Sequence, residues 1–172
     1  MKTFLALACA VLTAAAVAAA PVRFELAVPE QQAARERCGP AALAMVMRYW
    51  GADSAALREA ERAYDPALKG SLITDLAASG RRAGFRAQVG TLTTDSLVAL
   101  LRQGVPPIVL YQAGQRPITS PHYAVVRGWD SEDDAFLLND GGTQPRRTRR
   151  ADLEGRWRTA GSQALVLRPG SP

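Results

Sequence analysis

Apolar positions in the first half of the chain follow helical spacing, and the strongest run is apolar on almost every side. Pro40 favours the first turn of a helix and Gly51 favours its end, which predicts a helix from Gly39 to about Trp50. Residues 41–47 contain no polar side chain. Because a helix without a polar face packs inside a protein, the pattern predicts a buried central helix.

An extended lead-in at residues 22–28 precedes the central helix, and three further helices and one strand are predicted after it. The first of these helices has Ser54 as its expected cap, and the last is capped by Thr93 or Thr94. We expect helices over residues 54–64, 72–83 and 94–103, and a strand over residues 85–89.

The second half changes to short runs rich in Val, Leu and Ile between turn residues, a pattern typical of strands. These runs cover residues 107–111, 123–129, 135–139 and 164–168. Helices followed by an antiparallel sheet predict an α+β fold, with the buried central helix packed on the sheet. No repeat or linker divides the chain, so a single domain over residues 19–172, with its core at about 22–168, is expected.

The N-terminus has a different composition. Lys2 precedes an uncharged stretch rich in Ala, Leu and Val that ends in small residues, the pattern of a secretory signal peptide at residues 1–18, cleaved after Ala18. An uncut anchor is the alternative, and lipid attachment at Cys9 is disfavoured because too few apolar residues precede it. We therefore expect an exported protein, periplasmic or extracellular, with no integral membrane domain.

Removal of the signal leaves one cysteine, Cys38, and one histidine, His122. A lone thiol in an oxidising compartment forms no internal disulfide and needs another explanation. A buried, inert cysteine is an open interpretation at this point. Cys38 also directly precedes the predicted central helix, where unpaired N–H groups and the helix dipole lower a thiol pKa. Arg37 would favour the thiolate too if it lies close.

The formal net charge is +5, and most arginines alternate with acids. The one cluster, residues 146–150, has four arginines and no aromatic side chain on which bases would stack, so no nucleic-acid partner is expected. A surface strip that contacts anionic envelope components or an acidic partner is the more ordinary interpretation.

His122 precedes a predicted strand, so a rigid element would hold its imidazole beside a loop-lined surface, where it could serve as a general base. Asp140 ends the next strand; if the two strands pair through the turn at residues 130–134, its carboxylate would orient the ring through Nδ1. Asn139 would replace it only if the register slipped by one residue. The turn aspartates look structural.

Gln32 lies six residues before Cys38, and its side-chain amide could join the Cys38 backbone N–H in binding an oxyanion. The order of motifs resembles the bacteriocin-processing cysteine peptidases, a papain-like family whose members cut leader peptides after a double glycine. The resemblance rests on Gln32, Cys-Gly-Pro-Ala-Ala-Leu-Ala-Met at 38–45, Pro-His-Tyr-Ala-Val-Val-Arg-Gly at 121–128 and Leu-Leu-Asn-Asp at 137–140.

That resemblance implies a papain-like fold and a cysteine peptidase that needs no cofactor. It implies that Cys38 is the nucleophile, His122 the base, Asp140 the residue that orients it and Gln32 the oxyanion donor. The substrate would be an envelope or exported peptide or protein, with an envelope or exporter partner. The chain departs from the exporter members in showing no membrane domain or G-x-x-x-x-G-K-[ST] loop, and in having Arg37 where they tend to carry an acid.

Three other functions stay open. The same thiol chemistry would serve a transpeptidase or an amidase. A papain-like module without activity would bind peptides only, and an ordinary Cys38 thiol would indicate it. A zinc site formed by Cys38, His122 and Asp140 is disfavoured because no paired-ligand spacing is present.

Overall fold

The structure is a computed structural model and describes residues 21–115 and 117–170 of the 172. The predicted signal peptide at residues 1–18, with its cleavage site and Cys9, lies outside the described residues. The strands are β1 Arg23–Glu25, β2 Phe85–Thr91, β3 Ile108–Gln115, β4 Ile118–Asp130, β5 Ala135–Asn139, β6 Arg146–Arg149 and β7 Gln163–Pro169. The helices are α1 Cys38–Tyr49, α2 Ser54–Glu61, α3 Ile73–Arg82, α4 Thr94–Arg102 and α5 Arg150–Arg158, with a 3₁₀ turn at Arg35–Arg37.

The strands form one antiparallel sheet in the order β2-β7-β3-β4-β5-β6, and β1 pairs with β4. Its longest strand, β4, pairs with β3 along its first half and with β5 along its second. The predicted α+β fold is confirmed, and so is the strand pairing that the candidate site required, which joins Val125–Asp130 to Ala135–Asn139.

Buried side chains form a core on each face of the sheet, because successive residues of a strand point to opposite faces. On one face, Val125 packs with the residues of α1 and α3. Neighbouring Val126 belongs to the second core, which includes Phe136 and Trp157. Helix α1 is buried from Gly39 to Met47, so the prediction of a buried central helix is confirmed.

Local details differ from the sequence prediction where polar side chains set the ends. Asp53, rather than Ser54, caps α2 by accepting the N–H of Ala56 at 2.8 Å, and the helix ends at Glu61. Thr93 caps α4. The predicted loop before His122 is mostly strand, because β3 and β4 continue as a hairpin to Gln115 and from Ile118.

Strand β6 and helix α5 were missed. Only Leu153 and Trp157 of α5 are buried, so the segment shows almost no apolar pattern along the chain. Both side chains lie in the second core. Within the described ranges, none of the helices combines the length and apolar character that crossing a membrane requires.

Candidate active site

Cys38 is the first residue of α1, directly after the 3₁₀ turn. Strand β4 passes this helix end and brings Tyr123, 85 residues further along the chain, to the sulfur: the Tyr123 backbone N–H donates to Cys38 Sγ at 3.5 Å. The adjacent Gly39 N–H makes a smaller contribution to lowering the pKa of the thiol. Backbone donors at a helix N-terminus stabilise a thiolate, so both elements favour an ionised Cys38.

Gly39 fits this junction because it has no side chain. A Cβ at Gly39 would lie 3.1 Å from Ser71 Cβ and 3.2 Å from Tyr123 Cδ2, closer than nine in ten real Cβ contacts. The Tyr123 hydroxyl donates to the Ser71 carbonyl at 3.1 Å, a hydrogen bond that joins β4 to the segment before α3 at the same place. The glycine therefore lets the helix end, the β4 strand and the segment before α3 meet beside the sulfur.

Cys38 and His122 form a coupled pair. Burial alone would raise the pKa of the Cys38 thiol, but its hydrogen bond to His122, the Tyr123 N–H and the His122 charge outweigh burial and lower the pKa. Burial would lower the pKa of His122, but its hydrogen bond to Cys38, the charge of Cys38 and the Asp140 carbonyl outweigh burial and raise the pKa. Opposite shifts of this kind favour a thiolate–imidazolium pair.

The Nε2 atom of His122 is hydrogen-bonded to the backbone of Asp140. His122 Nε2–H donates to the Asp140 carbonyl oxygen at 2.8 Å, which leaves Nδ1 for the thiol. The expectation that the Asp140 carboxylate binds Nδ1 is therefore wrong. That carboxylate instead accepts from Arg146 Nε at 2.9 Å, because the chain turns at Gly141, whose φ is +85°.

Asn139 does not take the place of Asp140. Its side chain is buried and its amide donates to the Val28 carbonyl at 3.3 Å. Asp130 pairs with Arg147 at 2.9 Å and Asp134 with Arg150 at 3.1 Å, so these turn aspartates hold the sheet edge. They have the structural role that the sequence indicates.

The structure brings Cys38, His122 and Asp140 together but does not join Gln32 to them. Gln32 is exposed, and within the described residues no hydrogen bond links it to Cys38. The Cys38 backbone N–H donates to the Arg35 carbonyl of the 3₁₀ turn. The oxyanion role of Gln32 stays a prediction. Its neighbour Ala33 does reach the site, since the Ala33 N–H donates to the Gly141 carbonyl at 3.3 Å.

Arg37 is bound by partners other than the thiol. Its guanidinium binds Glu61 at 3.0 Å and stacks over the Tyr64 ring, 4.0 Å from the centroid. Arg37 was expected to favour the Cys38 thiolate only if it lay close to the sulfur, and its charge is instead paired with Glu61 on α2. The thiolate depends on the helix end and on β4 instead.

Tyr111 is a neighbour of the site that sequence reasoning missed. It lies opposite His122 in the β3–β4 register, and the two rings meet edge to face with centroids 5.8 Å apart. Burial and the nearby Asp140 charge raise the pKa of Tyr111 to about 12, so its hydroxyl stays protonated. Only the pairing of two strands brings this ring to the imidazole, and the sequence alone carries no signal of it.

A cleft of about 810 Å³ opens beside Cys38 and Tyr123. One wall is the segment 68–74, where Leu68 and Leu72 leave more than half of their surface exposed. Residues 34–36 and the start of β4 form the other wall. Exposed leucines at a concave surface are typical of a site for apolar side chains.

The arginine cluster offers less free charge than the sequence suggests. Arg146 pairs with Asp140, Arg147 with Asp130, Arg149 with Asp152 and Arg150 with Asp95, all within this chain. The expected contact strip for anionic partners is thus largely neutralised. Within the part of the chain described, no group of three His, Cys, Asp or Glu side chains is placed to hold a metal ion.

Comparison with known proteins gives a family and a fold. The model of the Peptidase_C39-like family matches residues 25–165. A search of curated proteins finds no match.

Solved structures with this fold include the peptidase domain of Streptococcus ComA, described as a bifunctional ABC transporter of a quorum-sensing pathway. It is 21% identical with a TM-score of 0.64, and the alignment covers 85% of this chain and 98% of that one. A double-glycine-motif protease of an AMS/PCAT transporter, solved with its leader peptide, is 19% identical with a TM-score of 0.65, covering 87% and 97%. A C39-like protein of Bacillus anthracis is 16% identical with a TM-score of 0.71, covering 88% and 100%. At these identities the similarities establish a shared fold.

Proposed function

Because the chain belongs to the Peptidase_C39-like family, we propose that it is a cysteine peptidase that hydrolyses peptide bonds of a peptide or protein held in the cleft beside Cys38. The observation that carries the proposal is the contact between Cys38 and His122 at a helix N-terminus, which lowers the pKa of the thiol and raises that of the imidazole. A charged pair at neutral pH is what a thiol nucleophile needs.

The reaction follows from that pair. The Cys38 thiolate attacks the carbonyl carbon of the scissile bond, and the His122 imidazolium gives its proton to the leaving amine. The thioester formed on Cys38 is then attacked by water, from which His122 takes a proton. Loss of the acid product restores the thiolate and the imidazolium. His122 Nε2–H donates to the Asp140 carbonyl throughout, which keeps the other ring nitrogen directed at sulfur and substrate.

The cleft supports a substrate class. Leu68 and Leu72 expose more than half of their surface to it, so we infer a preference for apolar side chains near the scissile bond. The comparison with a double-glycine-motif protease bound to a leader peptide makes double-glycine leaders one class of candidate substrate. With the signal peptide predicted at residues 1–18, the substrate would be an exported or envelope peptide, met in the periplasm or outside the cell.

A peptide-binding module without activity is the second candidate. The observation that favours it concerns the two predicted oxyanion donors. The Cys38 N–H donates to the Arg35 carbonyl, and Gln32 is exposed to solvent, so neither is arranged to bind an oxyanion beside Cys38. Such a module would hold peptides in the same cleft. A thiol that ionises like that of a free peptide would favour this function.

A cleavage assay tests the proposal directly, in which a protein of residues 19–172 is incubated with a peptide library that includes double-glycine sequences. We expect cleavage by the native chain, and none by Cys38→Ala or Cys38→Ser with unchanged circular dichroism. Ser54→Ala, at an exposed position at the start of α2, is the control and should cleave normally. Cleavage that survives Cys38→Ala would overturn the proposal, and peptide binding without cleavage by the native chain would favour the inactive module.

A further inference from the structure

Arg146 touches the candidate site from the edge of the sheet. Its Nε donates to Asp140 Oδ2 at 2.9 Å, and the carbonyl of that same Asp140 accepts the Nε2–H of His122 at 2.8 Å. Asp140 therefore joins the two groups, with its side chain on the arginine and its backbone on the imidazole. No other acid pairs with Arg146 among the described residues.

The two side chains of the Arg146–Asp140 ion pair differ strongly in their exposure to solvent. The Asp140 side chain is 8% exposed, whereas Arg146 is 55% exposed. An ion pair between two exposed groups contributes little, but a carboxylate that is almost buried needs a partner to offset its lost hydration. The ion pair therefore stabilises the nearly buried aspartate more than it restrains the exposed arginine.

The chain after Asp140 has little to fix it otherwise. Gly141 has φ of +85° and Gly142 follows, and glycines restrict a backbone less than any other residue. Among the described residues, the other hydrogen bond that restrains this turn is the long one from the Ala33 N–H to the Gly141 carbonyl at 3.3 Å. A turn of this kind needs a side-chain anchor if its carbonyl is to stay on the imidazole.

We propose that Arg146 is a positioning residue for the reaction: by pairing with the Asp140 carboxylate, it fixes the turn that holds the Asp140 carbonyl on His122. The inference rests on the proposed function and adds a residue that neither touches substrate nor belongs to the predicted catalytic set. The sequence offers Arg146 only as one of four clustered arginines.

Charged and titratable groups on several elements surround His122. Cys38 reaches it from α1, Asp140 from the end of β5 and Tyr111 from β3. Arg146, on β6, acts on this group through Asp140, and the charge of Arg156, on α5, is felt at Tyr111. Loss of Arg146 removes a cation and frees the turn, and both changes disfavour the thiolate.

Arg146→Gln tests the inference because it keeps much of the aliphatic stem and removes the charge. We expect kcat to fall about tenfold with KM within twofold of the native value, since the change affects the reacting groups and not the cleft. The pH at which iodoacetamide begins to alkylate Cys38 should rise. Arg146→Lys restores the cation and should recover most of both readouts.

The control is Arg149→Gln, which removes an exposed arginine of the same strand that pairs with Asp152. It should leave kcat and the alkylation profile unchanged. If Arg146→Gln does not fold, Arg146→Met serves in its place, with the same expectation. A purely structural role would lower the melting temperature without moving the alkylation profile.

The outcomes separate the two proposals. Unchanged kcat and an unchanged alkylation profile in Arg146→Gln, beside a reactive native Cys38, would overturn the role of Arg146 and leave the peptidase intact. A native Cys38 that reacts no faster at mildly acidic pH than a free peptide cysteine would overturn both. Loss of alkylation at low pH in Arg146→Gln, with recovery in Arg146→Lys, supports the inference.

Discussion

The imidazole of His122 is held by the backbone carbonyl of Asp140, at 2.8 Å from Nε2, and not by the Asp140 carboxylate. An aspartate in this position usually implies that its charge orients the ring. Here the charge faces Arg146 and the peptide group faces the histidine. Asp140, which follows β5, therefore binds the imidazole through an atom that every amino acid has.

Asp140→Asn should for that reason be a mild change. The carbonyl that accepts the Nε2–H survives, while the pair with Arg146 and the smaller effect of the Asp140 charge on the pKa of His122 are lost. We therefore expect kcat to fall about tenfold, against about a thousandfold for His122→Ala. Steady-state kinetics on a cleaved library peptide measure both. Asp152→Asn, an exposed acid of α5, is the matched control. A loss in Asp140→Asn as large as that of His122→Ala would show that the carboxylate itself is required.

The activity should show a bell-shaped pH profile whose two limbs belong to the Cys38–His122 pair. Because the pKa of Cys38 is lowered, its acid limb should lie below that of an ordinary thiol. Because the pKa of His122 is raised, its alkaline limb should lie above that of an ordinary imidazole.

Iodoacetamide labelling of Cys38 across pH measures the same pair without a substrate. His122→Gln removes the partner, so the onset of labelling should move to higher pH, toward that of a free cysteine. An onset that does not move would contradict the coupling between the two residues.

Gly39→Ala should destabilise the fold at the site. The added Cβ would lie 3.1 Å from Ser71 and 3.2 Å from Tyr123, and we expect a loss of about 1–3 kcal/mol in the free energy of unfolding. Activity should fall as well, since Tyr123 holds the sulfur. Urea denaturation measures the first effect and kcat the second.

Gly155→Ala is the matched control for that change. No atom lies within 4 Å of a Cβ at Gly155, which is in the middle of α5, so the substitution should leave stability unchanged or raise it by up to about 1 kcal/mol. Equal stability of the two alanine variants would contradict the close packing at Gly39.

Leu72→Ser should weaken substrate binding and leave the chemistry unchanged. Leu72 is exposed on the cleft wall, so the fold does not depend on it, and an apolar substrate side chain would lose its contact. We expect KM to rise about tenfold with little change in kcat. Val89→Ser, on β2 and outside the cleft, should change neither constant. A fall in kcat alone would show that Leu72 acts on the reaction and not on binding.

The sequence was sufficient for the α+β fold, the buried central helix and the strand pairing that brings Asp140 to His122. These follow from long apolar runs and from turn residues at 130–134, which are local signals. Cys38 and His122 stood out because each is the only residue of its kind after the predicted signal peptide.

The missed features depend on contacts that periodicity does not encode. Helix α5 buries only two side chains, so nothing along the chain marks it as a helix. The β3–β4 hairpin is partly exposed at its end, and its length comes from strand pairing. The direction of Asp140 depends on a turn at Gly141, and the partner of Arg37 depends on where α2 packs.

The contact between Tyr123 and Cys38 means that the lowered pKa of the thiol exists only in the folded chain. In an unfolded chain Cys38 would ionise near the pKa of a free cysteine, about 8.5, because His122 and Tyr123, the main residues that stabilise its charge, lie about 85 positions further along the chain. A chain exported in an unfolded state would thus carry a cysteine that is mostly protonated and unreactive at neutral pH. Its reactivity would begin only when β4 reaches the end of α1, so the time and place of folding would also set when cleavage starts.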